Sequence, residues 1–154
     1  MPKFRRGDIC KVSLDPTLGH EQQGYRPVLV LSPDSYNSLT GTAIVAPITN
    51  GGAFARNNGF SVNLLGSGLE TTGVVRCDQI RTIDLNVRQA IKVESAPLYI
   101  IQEALDIVLS LLEWVAFLYF DVNTQNHYEQ CNGHLWNLKY NNYMLKLMQM
   151  HNKL

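Results

Sequence analysis

A chain of 154 residues, 45% hydrophobic and 17% charged, fits one packed domain with length to spare. Thirteen Lys/Arg balance thirteen Asp/Glu, which excludes a global basic field advertising a nucleic-acid partner. Residues 1–96 hold ten basic against eight acidic side chains and residues 97–154 three against five, a segregation too small to argue from. Cys10, Cys77 and Cys131 are odd in number and widely spaced, which argues against a disulfide framework and suits a reducing cytoplasm.

The N-terminus, Met-Pro-Lys-Phe-Arg-Arg-Gly-Asp, is basic but lacks a following apolar run, so no signal peptide is expected. The first hundred residues read as short strands punctuated by turns, the pattern of a small β-barrel or sandwich. Ile9 to Leu14 alternates weakly between Gly7-Asp8 and Asp15-Pro16. A polar loop, Asp15 to Arg26, then leads to the compact apolar run Val28 to Leu31, closed by Ser32-Pro33. Ala43 to Ile48 is a further strand, in which Pro47 implies an edge position or a bulge. A second loop, Asn50 to Gly59, is rich in Gly and Asn. Long loops on a small barrel are where binding and catalysis usually sit. Phe60 to Leu64 alternates with Phe60, Val62 and Leu64 on one face; Gly73 to Ile80 is another strand, and Ala90 to Val93 a last one.

Near Pro97 the period changes. Leu98, Ile101, Ala104 or Leu105, Val108, Leu111 or Leu112, and Val115 recur at three and four residues, which predicts an amphipathic helix from about Pro97 into the 110s, packed across the open end or side of the barrel. Pro97 suits its first turn. Ile101 to Phe120 is also the one membrane candidate, but Glu103, Asp106 and Glu113 lie within it. Each would cost roughly 2.5–3.5 kcal/mol near a bilayer centre, so a partly buried helix is expected instead. Beyond Asp121 an Asn, Tyr, His and Met mixture shows no clear period until a short helical pattern around Asn141 to His151.

Chemistry concentrates in Val74-Val75-Arg76-Cys77-Asp78-Gln79. On a strand, Arg76 and Asp78 share a face while Val75 and Cys77 point the other way. Such a pair is either a structural ion pair or a phosphate-handling pair, with Arg gripping phosphoryl oxygens and Asp serving as base. His20, beside Glu21, is either a solvated loop residue or a proton carrier poised near neutral pH. Together the three suggest RNA transesterification, which needs a base for the 2′-hydroxyl, cationic stabilisation of the phosphorane and a proton for the departing 5′-oxygen. The ribose supplies the nucleophile, so neither a metal nor another cofactor is needed. His127, Cys131 and His134 are the only cluster resembling metal ligands, and their spacing matches no usual zinc set.

The residues closely resemble the MazF/PemK/Kid family of type II toxins, most of all its plasmid-borne Kid/PemK branch. The resemblance runs from Arg6 to Leu112 through Val12-Ser-Leu-Asp-Pro-Thr17, Gly19-His-Glu-Gln-Gln-Gly24, Arg26-Pro-Val-Leu29, Pro47-Ile-Thr49, Gly51-Gly52 with Phe54-Ala-Arg56, Gly59-Phe-Ser-Val62, Thr71-Thr-Gly-Val-Val-Arg-Cys-Asp-Gln79 and Arg81-Thr-Ile-Asp84. It implies a mainly β fold with α, an SH3-like barrel of the CcdB/Kid/MazF type plus a C-terminal helix, forming a homodimer in the cytoplasm. It further implies metal-independent cleavage of single-stranded mRNA at short motifs, leaving 2′,3′-cyclic phosphate and 5′-hydroxyl ends. Growth would be inhibited until a MazE/PemI/Kis-like antitoxin blocked the site, promoter DNA being bound only through that complex.

By the same resemblance Asp78 is the base, Arg76 the acid and His20 a stabiliser. A guanidinium with a pKa above 12 is a poor proton donor, which recasts Arg76 as an electrostatic clamp and His20 as the acid. In other branches Arg26 and Thr49 are the important pair, with Glu21 a further alternative. RNA contacts carry over to Thr49, Asn50, Phe60, Thr72, Val74 and Arg88; Phe60 is equally a stacking platform or a core aromatic. Asn50 and Asn58 depart from the nearest relatives, so no cut motif is carried over. Residues 1–113 form the toxin domain; 114–154, outside the resemblance, are a helix continuation or poorly ordered extension without catalytic role. The competing functions are a CcdB-like gyrase poison on the same fold and an inactive RNA-binding or autoregulatory relative.

Overall fold

Seven strands are laid down along the chain: Asp8–Ser13 (β1), Tyr25–Val30 (β2), Ala43–Thr49 (β3), Ser61–Asn63 (β4), Val74–Arg76 (β5), Arg81–Ile83 (β6) and Ile91–Ser95 (β7). Two helices accompany them, Asp34–Thr40 (α1) and Leu98–Asn123 (α2). The structure, a computed structural model, describes residues 3–51 and 58–123, and side chains as far as Leu112. The chain falls into two units, 1–108 and 109–154. The tail beyond Asn123, with the helical pattern at Asn141 to His151 and the His127, Cys131 and His134 cluster, lies outside the described residues, as does Gly52-Ala-Phe-Ala-Arg56.

The strand order is β4-β5-β3-β2-β1-β7, with β6 also joining β3, and every pairing is antiparallel. The central strands are buried on both faces. Cys10, Val12, Val28, Val30, Ala43 and Val45 enter one core with Phe4, Ile83, Leu85 and Ala90. Their alternates Ile9, Leu29, Leu31, Ala46 and Ile48 enter a second with Val62, Leu64, Val75, Cys77, Ile100 and Ala104. A sheet sandwiched in this way needs apolar residues at every position, which is why Val28 to Leu31 is a continuous run instead of an alternating one. The first turns of α2 cover the second core through Ile100 and Ala104, as its period predicts. Pro97 stands just ahead of the helix, not inside its first turn, and its carbonyl accepts from the Ile100 and Ile101 amides at 3.1 and 3.3 Å. Among the described residues no helix is long and apolar enough to cross a membrane.

Three expectations are corrected. Pro47 is neither at an edge nor at a bulge: β3 is central, with Val28 opposite Pro47 on one side. On the other side β6 pairs residues 43–45 and β5 pairs 48 and 49, so Pro47 sits where one partner has ended and the next has not begun. A residue without an N–H is tolerated in that gap. Gly73 to Ile80 is not one strand: β5 ends at Arg76, and Cys77–Gln79 form a single 3-10 turn before β6. Finally, α1 was not anticipated. Its Leu39 is exposed and its buried residue is Asn37, which donates to the Phe4 carbonyl at 3.2 Å, so it has no apolar stripe to read. Its end is marked by Gly41 in the left-handed region at φ 71°.

Candidate active site

The turn at Cys77–Gln79 aims alternate groups in opposite directions. Cys77 is buried in the second core, while Arg76 and Asp78 face outward and meet as a fork. Arg76 Nε donates to Asp78 Oδ1 at 2.8 Å and Nη2 to Oδ2 at 2.7 Å. Their side chains are 11% and 18% exposed, so the pair is screened from bulk water yet open to a ligand. The hydrogen bonds it donates to Asp78 push the Arg76 guanidinium above its already high value; burial opposes this and the Asp78 charge adds to it. Arg76 therefore holds a fixed positive charge. Burial, with the nearby Asp78 charge, pushes the Cys77 thiol up to about 12, so it is no nucleophile at neutral pH.

A cleft of about 490 Å³ opens beside the fork, lined by His20, Glu21, Gln22, Pro47, Asp78, Gln79, Ile80 and Arg81. It brings Asp78 and His20 to one cavity although they lie far apart in sequence. The loop carrying His20 is tied down at several points. Gln79 grips it in the middle: its Oε1 accepts from the Gln22 amide at 2.8 Å and its Nε2 donates to the His20 carbonyl at 3.0 Å. Arg81 donates to the Leu14 carbonyl at 3.1 Å and to Glu21 at 2.8 Å.

Three of the sequence candidates are occupied in bracing this loop. Arg26 donates from Nε to the Gln23 carbonyl at 2.7 Å and from Nη1 to the Gln22 side chain at 2.5 Å. Arg88 donates from Nη1 to the carbonyls of Ser13 and Asp15, both at 2.8 Å. Glu21 is spent on Arg81.

The remaining candidates gather at the β3–β5 end. Thr49 pairs with Val74 across the ladder, and the exposed Thr72 hydroxyl donates to Asn50 Oδ1 at 3.4 Å. Gly73 lets the strands close here: at φ +109°, a Cβ would stand 2.5 Å from the Thr49 carbonyl oxygen. Phe60 is partly buried, and its carbonyl accepts from the Cys77 amide at 3.0 Å, beside the fork. Val74 is fully buried, so its side chain offers no surface in this chain and its part is to place Thr49. Gln79 and Arg81 were missed as site residues. Both lie within five residues of Arg76, but the groups they hold are 57 or more residues away, so no local pattern reveals them.

Among the described residues no three His, Cys, Asp or Glu side chains gather to hold a metal ion. A carboxylate and an imidazole thus line one cleft, with a guanidinium bound to the carboxylate beside it. Comparisons with known proteins give the family. Residues 5–112 match the family described as PemK-like, MazF-like toxin of type II toxin–antitoxin system, and the chain belongs to that family. It is 52% identical over 109 residues to Endoribonuclease PemK of Escherichia coli, which covers 71% of this chain and 82% of that protein. Of solved structures, MazF from Deinococcus radiodurans is 34% identical with a TM-score of 0.63, covering 71% of this chain and 96% of that one. The MazE–MazF complex from the same organism is 35% identical with a TM-score of 0.59, covering 71% and 95%. The fold class read from the sequence is that of these MazF toxins, and the gyrase-poison alternative is not favoured.

Proposed function

We propose that this toxin cleaves single-stranded RNA by transesterification in the cleft between Asp78 and His20. Asp78 removes the 2′-hydroxyl proton, and the 2′-oxygen attacks phosphorus. Arg76 holds the non-bridging oxygens as charge builds on the phosphorane, and His20 gives a proton to the 5′-oxygen as the P–O5′ bond breaks. The products are a 2′,3′-cyclic phosphate and a 5′-hydroxyl. DNA, which lacks the 2′-hydroxyl, is spared.

The observation that carries this reading is the Arg76–Asp78 fork, whose carboxylate residue lines the same cleft as His20. Both carboxylate oxygens are held by one guanidinium at rest. An incoming phosphate competes for that guanidinium and frees the carboxylate as the hydroxyl arrives. Thr49, Asn50, Phe60, Thr72 and, through bracing, Arg26 and Arg88 place the strand, while residues 114–154 take no part in the chemistry. A cognate antitoxin and a homodimeric assembly belong to the same reading, supported by the likeness to the Deinococcus radiodurans MazE–MazF complex.

The test is incubation of the purified chain with a long RNA in EDTA, with cut sites mapped by primer extension. Discrete cuts that vanish in Asp78→Ala are expected. No discrete cuts from the wild type, or undiminished cutting by Asp78→Ala, overturns the proposal.

A further inference from the structure

The loop from Leu14 to Gly24 contributes His20 to the cleft, and most of its internal bonds lie at its base: Leu14 N to the Gly24 carbonyl at 3.1 Å, Gly24 N to Asp15 Oδ1 at 3.0 Å and Thr17 Oγ1 to Asp15 Oδ1 at 3.5 Å, with Glu21 N to the Leu18 carbonyl at 3.3 Å further along. What sits against its middle is the carboxamide of Gln79. One edge of that group offers an acceptor and a donor side by side, as the N–H and C=O of one residue do in an antiparallel ladder. The Gln22 amide must meet the oxygen and the His20 carbonyl must meet the nitrogen, so the orientation of the amide is set by its partners. Gln79 follows Asp78 directly in the same turn, so one peptide bond joins the residue that holds the His20 backbone to the residue that bears the carboxylate.

We propose that Gln79 is a positioning residue of the cleavage reaction, its side-chain amide fixing the backbone of His20 and Gln22 against the turn that carries Asp78. The inference rests on the site proposed above. Gln79 supplies no proton and no charge; it sets where the imidazole stands. Carboxamide geometry is required for this. Glutamate would turn the donor facing the His20 carbonyl into a second acceptor, asparagine would be one methylene short, and methionine would keep the bulk and lose both bonds. Misplacement of a catalytic group by about 1 Å costs on the order of a hundredfold in rate.

The experiment measures single-turnover cleavage of an RNA containing one mapped cut site, with the full chain in excess, for wild type, Gln79→Met, Gln79→Glu, His20→Ala and the double variant His20→Ala/Gln79→Met. Asp78→Ala is the control for the site itself. Thermal melting and the exchange rate of the Gln22 amide report folding and loss of the clamp. Gln79→Met is expected to melt near the wild type, to exchange the Gln22 amide faster, and to lower the maximal rate about tenfold or more with little change in the RNA concentration at half-saturation. In the His20→Ala background the same change should cost less than about twofold, because a group already absent cannot be misplaced. Equal losses with and without His20, a full rate in Gln79→Met, or a loss confined to RNA affinity overturns the proposal. Wild-type cutting by Asp78→Ala would instead overturn the underlying site, a failure read independently of Gln79.

Discussion

Arg76 and Asp78 are two residues apart, yet they meet through a turn and not along a strand: Nε and Nη2 of one reach Oδ1 and Oδ2 of the other at 2.8 and 2.7 Å. A planar guanidinium against a planar carboxylate is a fit that no lysine can reproduce. The consequence is that the carboxylate and the guanidinium neutralise one another, and the proposed reaction requires a phosphate to part them.

Separating the two roles is therefore possible by substitution. Arg76→Lys keeps the charge and loses the fork, while Asp78→Asn keeps the shape and loses the base. Each is expected to reduce cleavage by roughly 10²-fold or more, as removal of a general base or of a transition-state clamp does. Both proteins should remain folded, since Arg76 and Asp78 lie at the surface of the second core and not in it. Rates on one mapped RNA, alongside near-UV circular dichroism, check this; cutting within a few-fold of wild type by either variant would contradict it.

Gly73 stands where the β3–β5 end, proposed to contact RNA, closes tightly on the backbone. A Cβ there would lie 2.5 Å from the Thr49 carbonyl oxygen and 2.6 Å from Asn50 Oδ1, at a φ of +109° that L-residues rarely adopt. Gly73→Ala is expected to destabilise the fold by about 1–3 kcal/mol through backbone strain, with a further cost from displacing β3. It should also weaken RNA binding more than the Thr72→Ala change, which removes a hydroxyl and leaves the strands in place. Urea denaturation and binding to a non-cleavable 2′-deoxy substrate measure the two effects; a wild-type midpoint would show that the strands separate freely here.

Glu94 ties β7 to the loop before β5. Its carboxylate accepts from the Glu70 and Thr71 amides at 3.1 and 2.8 Å. Burial pushes its pKa up, but the hydrogen bonds from the Thr71 hydroxyl and from these two amides outweigh it, leaving the group below its ordinary value. A depressed folded-state pKa means stability that is fully present above the unfolded value of about 4.3 and lost as pH falls through the lower folded value. Glu94→Gln should thus shrink the fall in stability between neutral and acidic pH without steepening it anywhere. Denaturation midpoints taken from pH 7 downward test the sign; an unchanged acid limb in Glu94→Gln would refute it.

Much of this protein was legible in its residues alone. The turn-punctuated strands, the helix after Pro97 and the fold class follow from periods of two and of three to four, and long specific strings pointed to the toxin family. Arg76 and Asp78 share a side because they are close in sequence, so even a wrong local geometry left them together. Three things needed the folded chain. Pro47 is central because two different partners divide β3 between them, and α1 exists because a buried asparagine is satisfied by the Phe4 carbonyl; neither leaves an apolar period to read. The hold of Gln79 on Gln22 and His20 spans 57 and 59 positions of chain. Sequence patterning reports on neighbours at helical or strand spacing, whereas a side chain that replaces a missing strand partner is recognisable only once the sheet has closed around it.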